Sequence, residues 1–395
     1  MNKPTVAVLF GGRSTEHEVS IITGVQAIQN VDRSKYNVLP VYITKEGKWL
    51  TGDARLEKVE TYRDLSSVAN NFKNSFISPD TLQGALVENP ESAKGLLKRP
   101  EIIKVDVAVL CFHGGSGEDG GVQGLLDMAG IPYTGCGVLG SAVCMDKIST
   151  KLILQSAGVP VVKGVYFLRE EWEDDKPGIL KRIEKELSFP VFIKPSNSGS
   201  TIGIGAATNK KELEDAIEVA KFYDRRLLAE EGVKNPKETN VSVMGYKTLT
   251  LSEFEQPVSS GNFLSFQDKY LSGGGKSSGM ASTKRIIPSP IKDETRKKIG
   301  DYAKEAYKVL DCSGLVRIDF LLSQDEKDVY LNEVNTIPGS MSFYLWEPAG
   351  VPFKEMLDKL IQIARERQAD RAKTVRTFQS NILENFSGAK GAKGQ

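Results

Sequence analysis

Two stretches decide the fold: GLVRIDFLL, residues 314–322, and VYLNEVNTIPGS, residues 329–340. Both read as strands. Along a strand, side chains i and i+2 share a face. Arg317 and Asp319 therefore project together, and so do Glu333 and Asn335. A hairpin joining the two runs would set the pairs side by side, so that Asp319, Glu333 and Asn335 offer oxygen ligands next to an arginine. One or two carboxylates with room for phosphate oxygens suit Mg²⁺. An arginine beside them would offset charge on a transferring phosphoryl group. Pro338-Gly339 then turns the chain and would aim backbone N–H groups at the same place. The bland alternatives are a polar strand end facing water and a plain cross-strand salt bridge between Arg317 and Glu333.

A second stretch adds to this. In FIKPSNSGSTIGIG, residues 192–205, a strand carrying Lys194 runs into a Gly/Ser-rich loop. A lysine acts as a point charge for phosphate, and bare backbone N–H groups can surround anionic oxygens. Such a loop can equally be only a tight connection.

Working outward, residues 6–10 form a continuous apolar run, as a buried parallel strand does. Gly11-Gly12 breaks it, Ser14 or Thr15 is placed to cap the next helix, and Thr15 with Glu18 has capping-box spacing. NVLPVYIT (37–44) and VDVAVLCF (105–112) read as strands, and EDGGVQGLLDMAG (118–130) as a helix. Strands alternating with helices predict an open parallel α/β sheet. Residues 51–100 read as a polar surface excursion. A second unit begins at Met145-Asp146-Lys147, and a third, from Leu227, holds RLLAEE, NVSVMGY, GLVRIDFLL and DVYLNEV. The expected domains are 1–144, 145–226 and 227–370, with 371–395 a flexible Gly/Lys-rich tail.

Two motifs are decoys. GCGVLG (135–140) matches G-x-G-x-x-G, but it closes the first unit and no acidic residue follows at ribose-binding distance. GKS (275–277) lacks the earlier P-loop glycine, Tyr270 standing in its place.

The bulk numbers exclude little and point nowhere exotic. The 395 residues suffice for two or three domains, and the composition, 40% hydrophobic and 26% charged with net charge +1, is that of an ordinary globular protein. No bulk charge argument favours nucleic acid or membrane. No apolar run approaches the roughly 20 residues of a membrane span, and the N-terminal residues show no secretory pattern. A cytoplasmic location is therefore expected, with Cys111, Cys136, Cys144 and Cys312 reduced and buried. His17, one of the two histidines, is expected on the surface.

Taken together in order, FGGRSTEHEVS (10–20), HGGSGEDGGVQG (113–124), PYTGCG (132–137), MDK (145–147), IKPSNSGSTIG (193–203), KY (269–270), RIDF (317–320) and NEVNTIPG (332–339) resemble the D-alanine–D-alanine ligases of the ATP-grasp superfamily. The resemblance spans residues 4–367. It implies a three-domain α/β ATP-grasp fold: an N-terminal open parallel α/β sheet and two α+β domains clasping ATP. It implies an ATP-dependent carboxylate–amine ligase of peptidoglycan precursor synthesis, commonly a homodimer, with two Mg²⁺ (or Mn²⁺) and no nucleic-acid or membrane partner.

By resemblance, Glu16 would hold the first substrate's ammonium, and Ser200 and Tyr270 would link Glu16 to the phosphate side. Lys147, Lys194 and Lys269 would serve ATP, with Glu230 and Val233 against adenine and Glu238 on the ribose. Asp319, Glu333 and Asn335 would ligate metal, Arg317 and the Gly339 N–H would stabilise the tetrahedral intermediate, and His113 would lie near the first amino-acid subsite. The chain departs from the pattern in PGSMSFYLWEPAG (338–350), which is shorter than in common members. Tyr344 stands where they present a serine to the second substrate's carboxylate. An alternative reading is therefore a ligase of another amino-acid or hydroxy-acid pair with an altered second subsite.

Overall fold

The computed structural model describes residues 3–65, 68, 72–90, 99–199, 202–258, 284–375, 377, 380 and 381. These residues form three sheets with helices packed against them. The first sheet begins with strand β1 (Thr5–Gly11), helix α1 (His17–Asn30) and β2 (Asn37–Ile43). The short strands β3 (Trp49–Thr51), β4 (Lys73–Ile77), β5 (Ala85–Glu88) and β6 (Ile102–Lys104) follow, then β7 (Val107–Leu110). The sheet order is β6-β5-β4-β3-β2-β1-β7.

β1 lies at the heart of this sheet, parallel to β2 and β7. Val6, Val8 and Phe10 face one core, shared with α1, and Ala7 and Leu9 face the core on the other side. Burial on both faces is what the unbroken apolar run predicts. At its end Gly11 takes φ +88°, and a β-carbon there would lie 2.2 Å from the Ile43 carbonyl oxygen. Only glycine can make this turn.

Three expectations need correction. The parallel sheet is mixed: β3 to β6 pair antiparallel, and β4 and β5 lie inside the stretch expected to be a surface excursion, with β3 and β6 at its two ends. These strands have three to five residues each, too few to show a period, yet Leu50, Ile77 and Leu86 are buried. The capping box of Thr15 and Glu18 does not form. Helix α1 starts at His17 with Glu16 in the N-cap position, and Ser14 Oγ accepts from the Glu16 N–H at 3.0 Å. His17 is fully buried, its ring bonded to the Gly12 carbonyl (2.7 Å) and the Tyr42 hydroxyl (2.9 Å).

Helices α2 (Gly121–Ala129), α3 (Val138–Met145) and α4 (Lys147–Ser156) lead to the second sheet. It contains β8 (Gly164–Leu168), β9 (Val191–Pro195), β10 (Gly205–Ala207) and β11 (Arg226–Glu231), in the order β10-β9-β11-β8. Helices α5 (Lys176–Glu186) and α6 (Lys210–Ala220) contribute Ile179, Ile183, Leu213 and Ile217 to its core. RLLAEE, expected in the third unit, is β11 and pairs with β9 and β8. An apolar strand carries no mark of which sheet it joins.

The third sheet has the order β14-β13-β12-β15-β16. Its strands are β12 (Lys237–Gly245), β13 (Leu249–Pro257), β14 (Arg285–Ile286), β15 (Gly314–Leu322) and β16 (Val329–Asn335), with helix α7 (Asp293–Val309) between β14 and β15. Two glycines of the dinucleotide-like motif, Gly135 and Gly140, serve packing here. A β-carbon at Gly140 would lie 2.5 Å from Asp311 O, and one at Gly314 would lie 2.6 Å from Gly135 N. All four cysteines are free and buried, as expected.

The chain then returns to the first sheet. Helix α8 (Phe353–Arg371) places Met356, Leu357, Leu360 and Ile361 in the core of Val6, Val8 and Phe10. Arg367 of α8 donates to Gly135 O, to Ser313 Oγ (2.6 Å) and to Tyr133 O (3.2 Å), and stacks 4.2 Å over the Tyr133 ring. One guanidinium thus ties the first unit to the third. Arg367→Ala leaves buried acceptors unpaired, which costs about 1–3 kcal/mol for each such group. The variant is expected to lose about 3 kcal/mol of stability, read as a lower urea midpoint.

Candidate active site

The β15–β16 hairpin sets Arg317 opposite Asn335 and Asp319 opposite Glu333. Of the two arrangements open from sequence, the salt bridge to Glu333 is not the one found. Arg317 grips Asp319 on its own strand through two bonds of 2.7 Å, and Asn335 Nδ2 donates to Asp319 Oδ2 at 3.1 Å. Arg317 is only 5% exposed. Burial works against its charge, but Asp319 outweighs burial and raises its pKa well above the usual range. A buried charge persists only when paired in this way.

Two hollows meet at this hairpin. The larger, about 1640 Å³ and open to solvent, lies between the second and third sheets. Lys147, Lys194, Glu230, Val233, Glu238, Asp319 and Glu333 all line it. The smaller, about 740 Å³, is lined by Glu16, His113, Glu118, Lys147, Glu333 and Gly339. Arg317 lines both. Ser200, Lys269 and Tyr270, and the Gly-rich segment after them, lie outside the described residues.

In the larger hollow the positive charges are fixed by local structure. Asp146 caps α4 by accepting from Ser149 N–H at 2.7 Å and also holds Arg226 Nε at 2.8 Å. Lys147, the first residue of α4, is thereby set against the loop after β9: its N–H donates to Ser196 O at 3.0 Å and its ammonium to Ser198 O. Lys194 on β9 and Lys151 on α4 both pair with Glu230 on β11. Glu230 is 2% exposed. Burial alone would raise its pKa, but the two lysines bring it down to about 2. Lys151 was not picked out from sequence. It is one α-helical turn past Lys147, and that spacing was the available signal.

In the smaller hollow acids converge. A β-carbon at Gly199 would lie 2.7 Å from a Glu16 carboxylate oxygen, and one at Gly114 would lie 3.1 Å away. Glu16 thus sits against both Gly-rich loops. Glu118, also missed from sequence, accepts from the Gly114 N–H, yet burial together with Glu16 and Glu333 pushes its pKa up to about 8. Its place in HGGSGEDGG, an acid among glycines, was the signal. Carboxylates forced together like this suit a bound ammonium group.

His113 organises the wall opposite. Burial lowers its pKa to about 4, so the ring is neutral near pH 7, and the ring also bonds to Ile337 of the backbone. Nε2 lies 2.8 Å from Thr23 Oγ1, which in turn accepts from the Ser340 N–H at 3.1 Å. Thr23, missed from sequence, thus joins α1 to the Pro338-Gly339 turn.

The carboxylates of Asp319 and Glu333 and the carboxamide of Asn335 are the hard oxygen donors that suit a hard cation. Among the described residues no three His, Cys, Asp or Glu side chains converge as in a preformed metal centre. The set fits an ion that shares its coordination with phosphate oxygens.

The raised pKa of Glu118 has a consequence for stability. The folded state keeps this proton between about pH 4.5 and 8, whereas the unfolded chain releases it. The resulting stability is fully present below pH 4.5 and is lost as pH rises toward 8. Glu118→Gln should match the parent near pH 4 and exceed it at pH 8, by about 1 kcal/mol or more. Melting temperatures across this range without ligand check the sign.

Comparison with known proteins gives the family. Residues 5–136 match the family model described as D-ala D-ala ligase N-terminus, and residues 153–362 match D-ala D-ala ligase C-terminus. A D-alanine–D-alanine ligase of Thermosipho africanus is 39% identical over 379 residues, covering 96% of this chain and 98% of the relative. One from Caldicellulosiruptor bescii is 40% identical over 376 residues, covering 94% and 98%. Among solved structures, the VanG D-Ala:D-Ser ligase from Enterococcus faecalis superposes with TM-score 0.78 at 32% identity, over 92% of this chain and all of that one. The D-alanine–D-alanine ligase from Coxiella burnetii gives TM-score 0.77 at 26% identity, over 94% and 97%. With both halves matched and the fold shared, the chain belongs to the D-alanine–D-alanine ligase family.

Proposed function

We propose that this protein joins two D-alanine molecules with ATP, through an acyl phosphate, to supply the dipeptide of peptidoglycan precursors. The observation that carries the reading is Arg317, standing where the hollow of Glu16 and Glu118 meets the hollow of Lys194 and Glu230. The acid side accepts the ammonium of the first D-alanine, at Glu16 with Glu118 nearby. The lysine side takes the ATP phosphates, at Lys147 and Lys194. Glu230 and Val233 lie toward adenine and Glu238 toward the ribose. The carboxylate of the first D-alanine then lies between them, within reach of the γ-phosphate.

The chain's contribution is position and charge. Arg317, already charged and rigid on Asp319, needs no reorganisation to offset negative charge at the reacting carboxyl. The Gly339 N–H, held in place through Ser340 and Thr23, is a second donor for a developing oxyanion. Neutral His113 orients that turn and adds no charge. Asp319, Glu333 and Asn335 would hold Mg²⁺ or Mn²⁺, two ions in this reading, which when bound neutralise phosphate charge. Ser200, Lys269 and Tyr270 keep their roles as a link to Glu16 and an ATP contact. A cytoplasmic homodimer acting on small amino acids, with no nucleic acid or membrane partner, completes the reading. Among the described residues no helix is long and apolar enough to cross a membrane.

Phosphate release from ATP and Mg²⁺, with D- and L-amino acids offered singly and in pairs and products weighed by mass spectrometry, tests the reading. D-alanine alone should give D-alanyl-D-alanine, and turnover confined to another pair would overturn the substrate. Glu333→Gln is expected to lower turnover about 100-fold or more, with little change in melting temperature. Thr23→Val removes the hydroxyl between His113 and Ser340 and should lower kcat about tenfold, as one net hydrogen bond allows. An unchanged kcat would detach Thr23 from the site.

A further inference from the structure

On the buried side of α4, with Ile148 and Leu154, stands a lysine. Lys151 is 6% exposed and lines neither hollow, and the reaction laid out above does not use it. A buried cation is costly unless it is paired, and an apolar side chain would fill the same place without that cost. Its ion-pair partner is Oε1 of Glu230 on β11, whose Oε2 takes Lys194. One buried carboxylate thus serves two lysines, one oxygen each.

The two lysines differ in freedom. Helix α4 is tied to β11 twice: Asp146 at its N-cap holds Arg226, and Lys151 holds Glu230. Arg226 and Glu230 are four residues apart on a strand and so share a face. Lys151 is therefore fixed. Lys194 lies on β9, its side chain is 14% exposed against 8% for Lys151, and it lines the larger hollow beside Lys147. It is the one of the two that can turn to a phosphate.

The charge count gives Lys151 its purpose. Glu230 is 2% exposed and must keep a counter-charge. Were Lys194 its sole partner, Lys194 could reach a phosphate only by leaving a buried carboxylate bare. With Lys151 on the other oxygen, Lys194 can leave and Glu230 stays paired. Resting on the ATP site of the reading above, we propose that Lys151 is a positioning residue for ATP, which keeps Glu230 paired and so releases Lys194 for a phosphate of the nucleotide. Lys151 touches no substrate itself. The rival account is a plain structural tie between α4 and β11.

Calorimetric titration of the full chain with ATP in Mg²⁺ separates the two. Lys151→Met keeps much of the side chain and loses the charge. It should raise the Kd for ATP about fivefold or more and leave the KM for D-alanine within about twofold. In the double variant Lys151→Met/Glu230→Gln no buried acid holds Lys194 back. The double variant should therefore bind ATP about threefold or more tighter than Lys151→Met, a repair that only coupled residues show. A structural tie predicts no repair. Where Lys151→Met fails to fold, the double variant is compared with Glu230→Gln alone. Equal Kd values within about threefold are expected, because Lys151 acts only through Glu230, and a larger loss would make Lys151 a direct ligand and overturn the assignment. A smaller rise than fivefold in Lys151→Met, a double variant no tighter than Lys151→Met, or a KM for D-alanine raised as much as the Kd also overturns it. A wild type that does not bind ATP overturns the site on which the assignment rests. A wild type that binds ATP and forms no dipeptide overturns the ligase reading alone, and the Kd values still decide the role of Lys151.

Discussion

A guanidinium taken out of water must be neutralised where it stands, and much of this structure follows from how Arg317 meets that demand. Its counter-ion, Asp319, is two residues away on the same strand, so the pair is rigid before any substrate arrives. The strand opposite then contributes Glu333 and Asn335 without having to pair with the arginine. Glu333 lines both hollows. The same logic recurs at Glu230, where one buried carboxylate is shared by Lys151 and Lys194. Two positive charges are stored against a single buried acid.

The β15–β16 hairpin was legible in the sequence because strands of nine and seven residues show their period and put functional side chains at i and i+2. β1 was legible for the opposite reason, as an unbroken apolar run buried on both faces. What was not legible depended on long-range pairing. β3 to β6 are too short for any period, and β11 is apolar enough to join either neighbouring sheet. The capping box failed because the Gly11-Gly12 turn hands the N-cap position to Glu16, a choice fixed by the site and not by helix propensity. His17 looked like a surface residue beside charged neighbours, but the helix phase turns it onto Tyr42.

The site divides in the same way. Residues that sit in recognisable strings, such as Lys194, Arg317, Asp319, Glu333 and Gly339, could be named and do line the two hollows. Lys151 and Glu118 carried local signals and were missed, whereas Thr23 and Arg285 could not be named, because each matters through something far away in the chain. Thr23 is remote in sequence from Ser340, and Arg285 from Tyr344, on which it stacks, and from Glu255, to which it donates. A linear motif cannot state a contact of that kind.

The segment after Gly339 brings these strands together. A shorter loop has fewer residues with which to cross from β16 to α8, and here it closes with Ser340, Met341 and Ser342 at left-handed backbone angles that side chains resist. Strain of this kind survives only where the surroundings over-determine it. Here those surroundings are Thr23 and His113 on one side and the Arg285–Glu255–Asn240 chain on the other. Gly339 lies between the two sides. A change that relaxed the turn would therefore not act locally. It would shift the Gly339 N–H relative to Arg317, and it would move Tyr344 from beneath Arg285.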